Sequence, residues 1–202
     1  MILVVCALSA ELRAFEPRAG VEVFACGVGP VEAAAATARK LALGSFSAVV
    51  NAGIAGAFRG SARVGEARIV VDEALAGLGL EGGGAFSLPG DATLVDRIAV
   101  DPAFLHRCAD SAIPHARGLT VGQVTATDAT ARALRERYGA DVESMEGFAV
   151  LRASALAGIP ALEVRGISNY VGARETAEWD FRAGSLAVIA ALETIIALCP
   201  PR

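Results

Sequence analysis

The segment ESMEG (143–147) sets Glu143 and Glu146 on either side of Met145, directly ahead of the apolar run FAVL. A carboxylate there can accept hydrogen bonds from two neighbouring hydroxyls, which is what a sugar diol demands. Met145 offers a soft apolar face to a sugar or a ring. The same residues also make a plain helix-start acid pair with a core methionine. Further on, IPALEVRGISN (159–169) runs apolar and then stops at Ser168 and Asn169. An amide carries an acceptor and donors side by side, the pattern that reads the edge of a heterocycle. A turn-initiating asparagine before Tyr170 and Gly172 is the simpler alternative. Glu11, in LSAEL, follows the first apolar run; by itself it is a helix-start carboxylate complementing the helix dipole. AGIAG (52–56) reads as a glycine-rich loop whose backbone N–H groups, from Ile54, Ala55 and Gly56, a ligand can approach closely. It also reads as a tight strand-to-helix connection.

The elements that must position these residues alternate. Ile2–Cys6, Val21–Cys26, Ala48–Asn51, residues 64–75, Ala116–Ala126, Val142–Glu143 and Ala161–Ile167 read as strands. Val31–Leu43 behind Pro30, Ala129–Tyr138, Met145–Ala157 and Phe181–Leu198 read as helices, with a short one capped by Ser9. Gly158 and Pro160 end the third long helix. This order predicts an α/β fold: one three-layer α/β/α domain spanning 1–202, with a mixed, largely parallel, twisted central sheet. Ligands in such sheets bind at the carboxyl ends of strands. Glu11, AGIAG, ESMEG and ISN all fall at predicted strand ends, so one shared site is expected. The segment 81–90, EGGGAFSLPG, reads as a loop, and 81–91 as a lid, a dimer contact or plain surface.

Composition narrows the function. The chain has 202 residues, 54% apolar and 20% charged, enough for a sizeable core. Its net charge of −4 has no basic stripe, which speaks against nucleic-acid binding. Cys6, Cys26, Cys108 and Cys199 make no C-x-x-C pair, and buried free thiols are expected rather than disulfides or zinc. Neither GVGP (27–30) nor AGIAG matches G-x-G-x-x-G, and no G-K-[ST] occurs. No metal or organic cofactor is expected. The apolar N-terminus lacks a preceding Lys or Arg, so a buried strand explains it better than a signal peptide. A soluble cytoplasmic protein, with no membrane partner, is the expectation.

Taken together, ALSAEL (7–12), GVGP, NAGIAGAF (51–58), VESMEG (142–147), IPALEVRGISN and the following YVGAR resemble the nucleoside phosphorylase and nucleosidase superfamily. Within it they are most similar to the futalosine hydrolases, over nearly the whole chain. The resemblance implies that Glu11 activates the attacking water. It implies that Met145 and Glu146 contact the ribose, Glu146 on the 2′- and 3′-hydroxyls. It implies that Ser168 and Asn169 stand beside the purine, where the adenine-specific nucleosidases carry Asp in place of Asn169. An amide oxygen accepting from N7–H while its nitrogen donates to O6 favours hypoxanthine over adenine. Arg174 is the first candidate for the carboxylate at the substrate's other end, and Trp179 for covering its aromatic part. Thr125, Thr127 and Asp128 fall where relatives form part of the purine pocket. The implied partner is a small purine nucleoside, bound by a homo-oligomer.

Overall fold

Continuous apolar runs dictate the centre of the molecule. ILVVC forms β1 (Ile2–Cys6), buried along its whole length. It lies between β2 (Val21–Ala25) and β3 (Ala48–Ala57), parallel to both. A strand flanked on both sides and covered on both faces has no place for polar side chains, hence its β-branched composition. The computed structural model describes residues 1–81, 88–90, 93–173 and 179–201. The 81–91 loop therefore lies largely outside the described residues.

Five more strands complete the sheet: β4 (Ala67–Leu75), β5 (Arg97–Ala99), β6 (His115–Thr120), β7 (Val142–Ser144) and β8 (Ala161–Tyr170). The order is β2-β1-β3-β7-β6-β4-β5, and β8 pairs with both β3 and β4. The sheet therefore curls until β3, β7, β6, β4 and β8 close a ring. The pairs β3–β7, β4–β5 and β4–β8 are antiparallel, and the other pairings are parallel. The mixed, largely parallel α/β architecture stands.

Helices α1 (Pro30–Leu43), α2 (Pro102–Arg107), α3 (Asp128–Tyr138), α4 (Gly147–Leu156) and α5 (Phe181–Leu198) cover the sheet. Their ends follow local chemistry. Pro30 opens α1 after Gly29, whose φ of 92° suits glycine. Thr127 caps α3 by accepting from the Thr130 N–H, and Asp180 caps α5 by accepting from Ala183. By length and composition α5 could cross a membrane. Its Val188, Leu192, Ile195 and Ile196 are instead buried in the main core with β1 and β8. Gly166 and Gly184 let it lie close on β8: a Cβ on Gly166 would sit 2.0 Å from the Gly184 carbonyl oxygen.

Several predicted boundaries move, four of them next to the site. AGIAG is not a loop; it is the second half of β3, because β8 runs beside it and supplies backbone partners as far as Ala57. β8 likewise continues past Ile167 to Tyr170, so Ser168 and Asn169 lie within a strand rather than beyond its end. β6 stops at Thr120, six residues before the predicted Ala126. α4 begins at Gly147, not Met145, with Glu146 at its N-cap. β5 and α2, in the stretch 97–107, have no counterpart in the sequence reading.

Candidate active site

The carboxyl ends of β1, β3 and β8 and the β7–α4 junction meet around a cavity of about 170 Å³. Glu11, Ile54, Ala55, Gly56, Met145, Glu146, Ser168 and Asn169 all line it. The structure thus brings these eight together, as the sequence led one to expect. Arg174 lies outside the described residues. A larger hollow, about 960 Å³, lies around α2 and the 158–161 turn and shares no residue with this cavity. Its lining is mostly apolar, and it gathers no carboxylates like those of the smaller one.

Glu11 sits in the 3-10 turn Ser9–Leu12 and is buried. Its Oε2 accepts from the Leu8 N–H at 2.9 Å, and its Oε1 accepts from the Ile54 N–H at 2.9 Å. The start of the 3-10 turn and β3 together therefore fix both oxygens and still leave each a lone pair. Burial pushes Glu11 above the ordinary carboxylate range; the Ile54 and Leu8 N–H groups and Arg165 pull it down, and Glu146 adds to the rise. An acid so tuned is a stronger base than one in water.

Glu146 is buried too, and its Oε1 accepts from the Gly29 N–H at 2.9 Å. No described residue donates to its other oxygen, which is left for a ligand. At the N-cap of α4 the side chain accepts nothing from the helix itself, so it is not a capping residue. Glu143, its partner in the motif, also reaches the cavity wall but is not free to meet a ligand. Both its oxygens are taken by Thr125, one by the backbone N–H at 3.0 Å and the other by the hydroxyl. That contact ties down the segment after β6 and puts Val124 in the cavity wall. Thr125, Thr127 and Asp128 are not lining residues: Thr127 caps α3, and Asp128 accepts from the Ala173 N–H.

The β3–β8 register shifts at one point: Ala55 pairs with Ile167, but Gly56 pairs with Asn169. Ser168 is the extra residue of a bulge. Along a regular strand neighbouring side chains point to opposite faces. The bulge re-aims them, so consecutive Ser168 and Asn169 both reach the cavity. The Ser168 hydroxyl lies 2.8 Å from Asn169 Oδ1 and 3.3 Å from the Ala55 carbonyl, and Asn169 Nδ2 donates to the Tyr170 carbonyl at 3.1 Å. The amide is held with its acceptor and its second N–H both available. Gly56 makes the space: a Cβ there would lie 3.0 Å from Asn169 Nδ2.

Sequence reasoning missed Arg165. It is buried on β8, with Nε donating to Glu163 at 2.8 Å and Nη1 to the Ile54 carbonyl at 3.4 Å. With the Asn51 amide oriented to satisfy its neighbours, the Asn51 oxygen accepts from Nη2 at 2.8 Å. Burial alone would lower its pKa, but Glu163, Glu146 and Glu11 outweigh that and hold the guanidinium charged. The available signal was LEVRG itself, two opposite charges inside an otherwise apolar strand. Trp179 and Phe181 also line the cavity, and Trp179 is half exposed at its rim rather than anchoring α5 in the core. Burial raises the Cys6 thiol to about 12 and the Cys26 thiol to about 11, so neither is a nucleophile at neutral pH.

The family model of the phosphorylase superfamily matches residues 9–197. Futalosine hydrolase of Streptomyces coelicolor is 41% identical over 170 residues, covering 79% of this chain and 72% of the relative. The Thermus thermophilus enzyme of that name is 34% identical over 177 residues, covering 85% and 79%. The chain belongs to the futalosine hydrolase family. It is an N-glycosidic nucleoside hydrolase within the phosphorylase superfamily. Its fold is shared by a methylthioadenosine/S-adenosylhomocysteine nucleosidase from Colwellia psychrerythraea, solved with adenine (TM-score 0.82, 17% identity, 98% and 94% of the two chains). It is shared too by futalosine hydrolase of Helicobacter pylori (TM-score 0.80, 16% identity, 97% of each chain).

Proposed function

We propose that this enzyme hydrolyses the N-glycosidic bond of futalosine, releasing hypoxanthine and dehypoxanthine futalosine for menaquinone biosynthesis, as a cytoplasmic homo-oligomer. The observation that carries the reading is the Asn169 amide, pinned as a donor–acceptor pair in the cavity that also holds Glu11 and Glu146. A 6-oxopurine leaving as its N7–H form matches that pair: Oδ1 accepts from N7–H and Nδ2 donates to O6. Adenine presents the opposite pattern.

Water attacks the anomeric carbon and gives its proton to Glu11 as the C–N bond breaks toward the purine. Glu146 accepts from the ribose 2′- and 3′-hydroxyls, with Met145 against the sugar, and its charge supports the developing oxocarbenium ion. An amide is a poor proton donor, so solvent supplies the N7 proton and Asn169 holds the protonated purine. The backbone of Ile54, Ala55 and Gly56 and the Ser168 hydroxyl frame the base. The aromatic end of the substrate lies against Trp179, with Arg174 the candidate for its carboxylate.

Phosphorolysis is the less favoured chemistry for a reason of charge. Glu11 and Glu146 both line the cavity, and the cation behind them, Arg165, is already committed to Glu163, Asn51 and Ile54. A phosphate anion would meet net repulsion there. Turnover of futalosine, inosine and methylthioadenosine, with and without phosphate and scored by the released base, tests the proposal. Phosphate-independent release of hypoxanthine from futalosine is expected; release of adenine alone, or a strict phosphate requirement, overturns it.

A further inference from the structure

Beneath the cavity, away from any ligand, the closed sheet buries Glu73 of β4 and Glu163 and Arg165 of β8, all at 1% exposure or less. Arg165 answers one of the two carboxylates, donating from Nε to Glu163 Oε1. Glu73 Oε1 accepts from the Thr120 hydroxyl at 3.3 Å and the Ser144 hydroxyl at 3.5 Å. That leaves two sealed oxygens, Glu73 Oε2 and Glu163 Oε2, with no donor from any described residue. The carboxyl groups converge on one point. A Cβ on Gly147 would lie 2.0 Å from Glu73 Oε1 and 2.7 Å from Glu163 Oε1, and one on Gly118 would lie 2.5 Å from the Glu73 carboxyl carbon. Glycines at 118 and 147 thus clear the room in which the two acids meet. Among the described residues the charged groups facing Glu73 are Glu163 and Arg165; β6 and β7 present the hydroxyls of Thr120 and Ser144, and α4 presents only Gly147.

Two adjacent buried carboxylates with one cation between them cannot both be ionised at low cost. A single proton relieves this, because it removes one charge and turns Glu73 into a donor toward the neighbouring carboxylate. We propose that Glu73 carries this proton and donates it to Glu163, and that the resulting pair is a positioning device that holds Arg165 behind Glu11 and Ile54. Resting on the reading of Glu11 as the base, this makes Glu73 and Glu163 positioning residues for hydrolysis. Neither touches substrate. Arg165 connects them to the base: its Nη1 and Glu11 Oε1 both lie within 2.8 Å of the point where a Gly53 Cβ would stand.

The pair makes Gln at position 73 a mimic of the protonated acid. Its amide nitrogen would donate to Glu163 while its oxygen accepted from Thr120 and Ser144. The test compares Glu73→Ala, Glu73→Gln and Glu163→Gln in the full chain. Glu73→Ala is expected to lower kcat at least tenfold with little change in KM, and Glu73→Gln to restore most of it without moving the acid limb of the kcat/KM profile. In heavy water, Glu73→Gln should also erase one infrared carbonyl band of a protonated carboxylic acid. Glu163→Gln should lower kcat at least tenfold in a folded protein. An unchanged infrared band, an acid limb shifted by Glu73→Gln, or a Glu73→Gln protein that does not fold would each overturn the shared proton. Full kcat in Glu163→Gln would overturn the positioning role. The infrared readout does not depend on what Glu11 does, so it separates this proposal from the base assignment.

Discussion

Gly53→Ala isolates the contact on which the site depends. Gly53 lies mid-strand in β3 and has no positive φ, so alanine there meets no backbone strain. It meets side chains instead. Its Cβ would stand 2.7 Å from Arg165 Nη1 and 2.8 Å from Glu11 Oε1, where ordinary contact begins at 3.4 Å. The shortfall is 0.7 Å for one group and 0.6 Å for the other, and neither can yield freely. Glu11 is held by two backbone N–H groups at 2.9 Å, and Arg165 by Glu163 at 2.8 Å. One of these bonds must stretch. A misplacement approaching 1 Å costs about a hundredfold in rate, so a ten- to hundredfold loss in kcat is expected, about 1.4–2.7 kcal/mol of barrier. Overpacking should also lower stability by about 1–3 kcal/mol. The assay is initial-rate release of hypoxanthine from futalosine, beside urea denaturation of the same protein. Gly122→Ala, where an added Cβ meets nothing within 4 Å, is the control. A folded Gly53→Ala protein with wild-type kcat would refute the reasoning, because the base would then tolerate displacement.

Other expectations follow from the same geometry. Asn169→Asp should shift selectivity from 6-oxo toward 6-amino purine nucleosides, by tenfold or more in the ratio of kcat/KM; an unchanged ratio in a substrate panel would count against edge reading. Thr125→Val strips the hydroxyl from Glu143 Oε2. It should cost about 1–3 kcal/mol, visible in the urea midpoint, because a buried oxygen is left without its partner. Activity and stability should move oppositely with pH. Glu11 must be ionised to work and its pKa lies above the ordinary 4.5, so kcat/KM falls as pH drops through that raised value. Glu11, Glu73 and Glu143, all raised chiefly by burial, bind protons more tightly folded than unfolded. Their stabilising contribution is therefore full below about 4.5 and is lost as pH rises through their folded values. Glu66, held down to about 2 by the Arg63 N–H and by Arg63 and Arg68, changes stability only below that window. Denaturation followed upward from about pH 4.5 should show falling stability; a rise as these acids ionise would be inconsistent with them.

How much was legible in the sequence depends on whether a residue's job is local. β1 and α5 were readable because their apolar patterns need only a core, and α5 keeps the expected bounds Phe181–Leu198. AGIAG was misread because glycine usually signals a turn, whereas Gly53 and Gly56 serve to let Glu11, Arg165 and Asn169 approach the strand. Ser168 and Asn169 were expected at a strand end. Their joint access to the cavity comes from a register shift against β3, which a single strand's pattern does not encode. Glu143 and Glu146 looked alike in ESMEG, and only the segment carrying Thr125 separates their roles. Arg165 announced itself as a charge in a greasy strand, but beyond Glu163 its partners Asn51 and Ile54 come from β3, which pairs beside β8.

The most direct test of the account is Glu11→Gln, measured for both binding and turnover of futalosine. Glutamine keeps the shape and can still accept from the Leu8 or Ile54 N–H, but it cannot take a proton from water. Calorimetry should show futalosine bound with affinity close to wild type, while hypoxanthine release falls by at least a hundredfold. Hydrolysis at near wild-type rate would show that some other group activates the water, and the chemistry assigned to this cavity would be wrong.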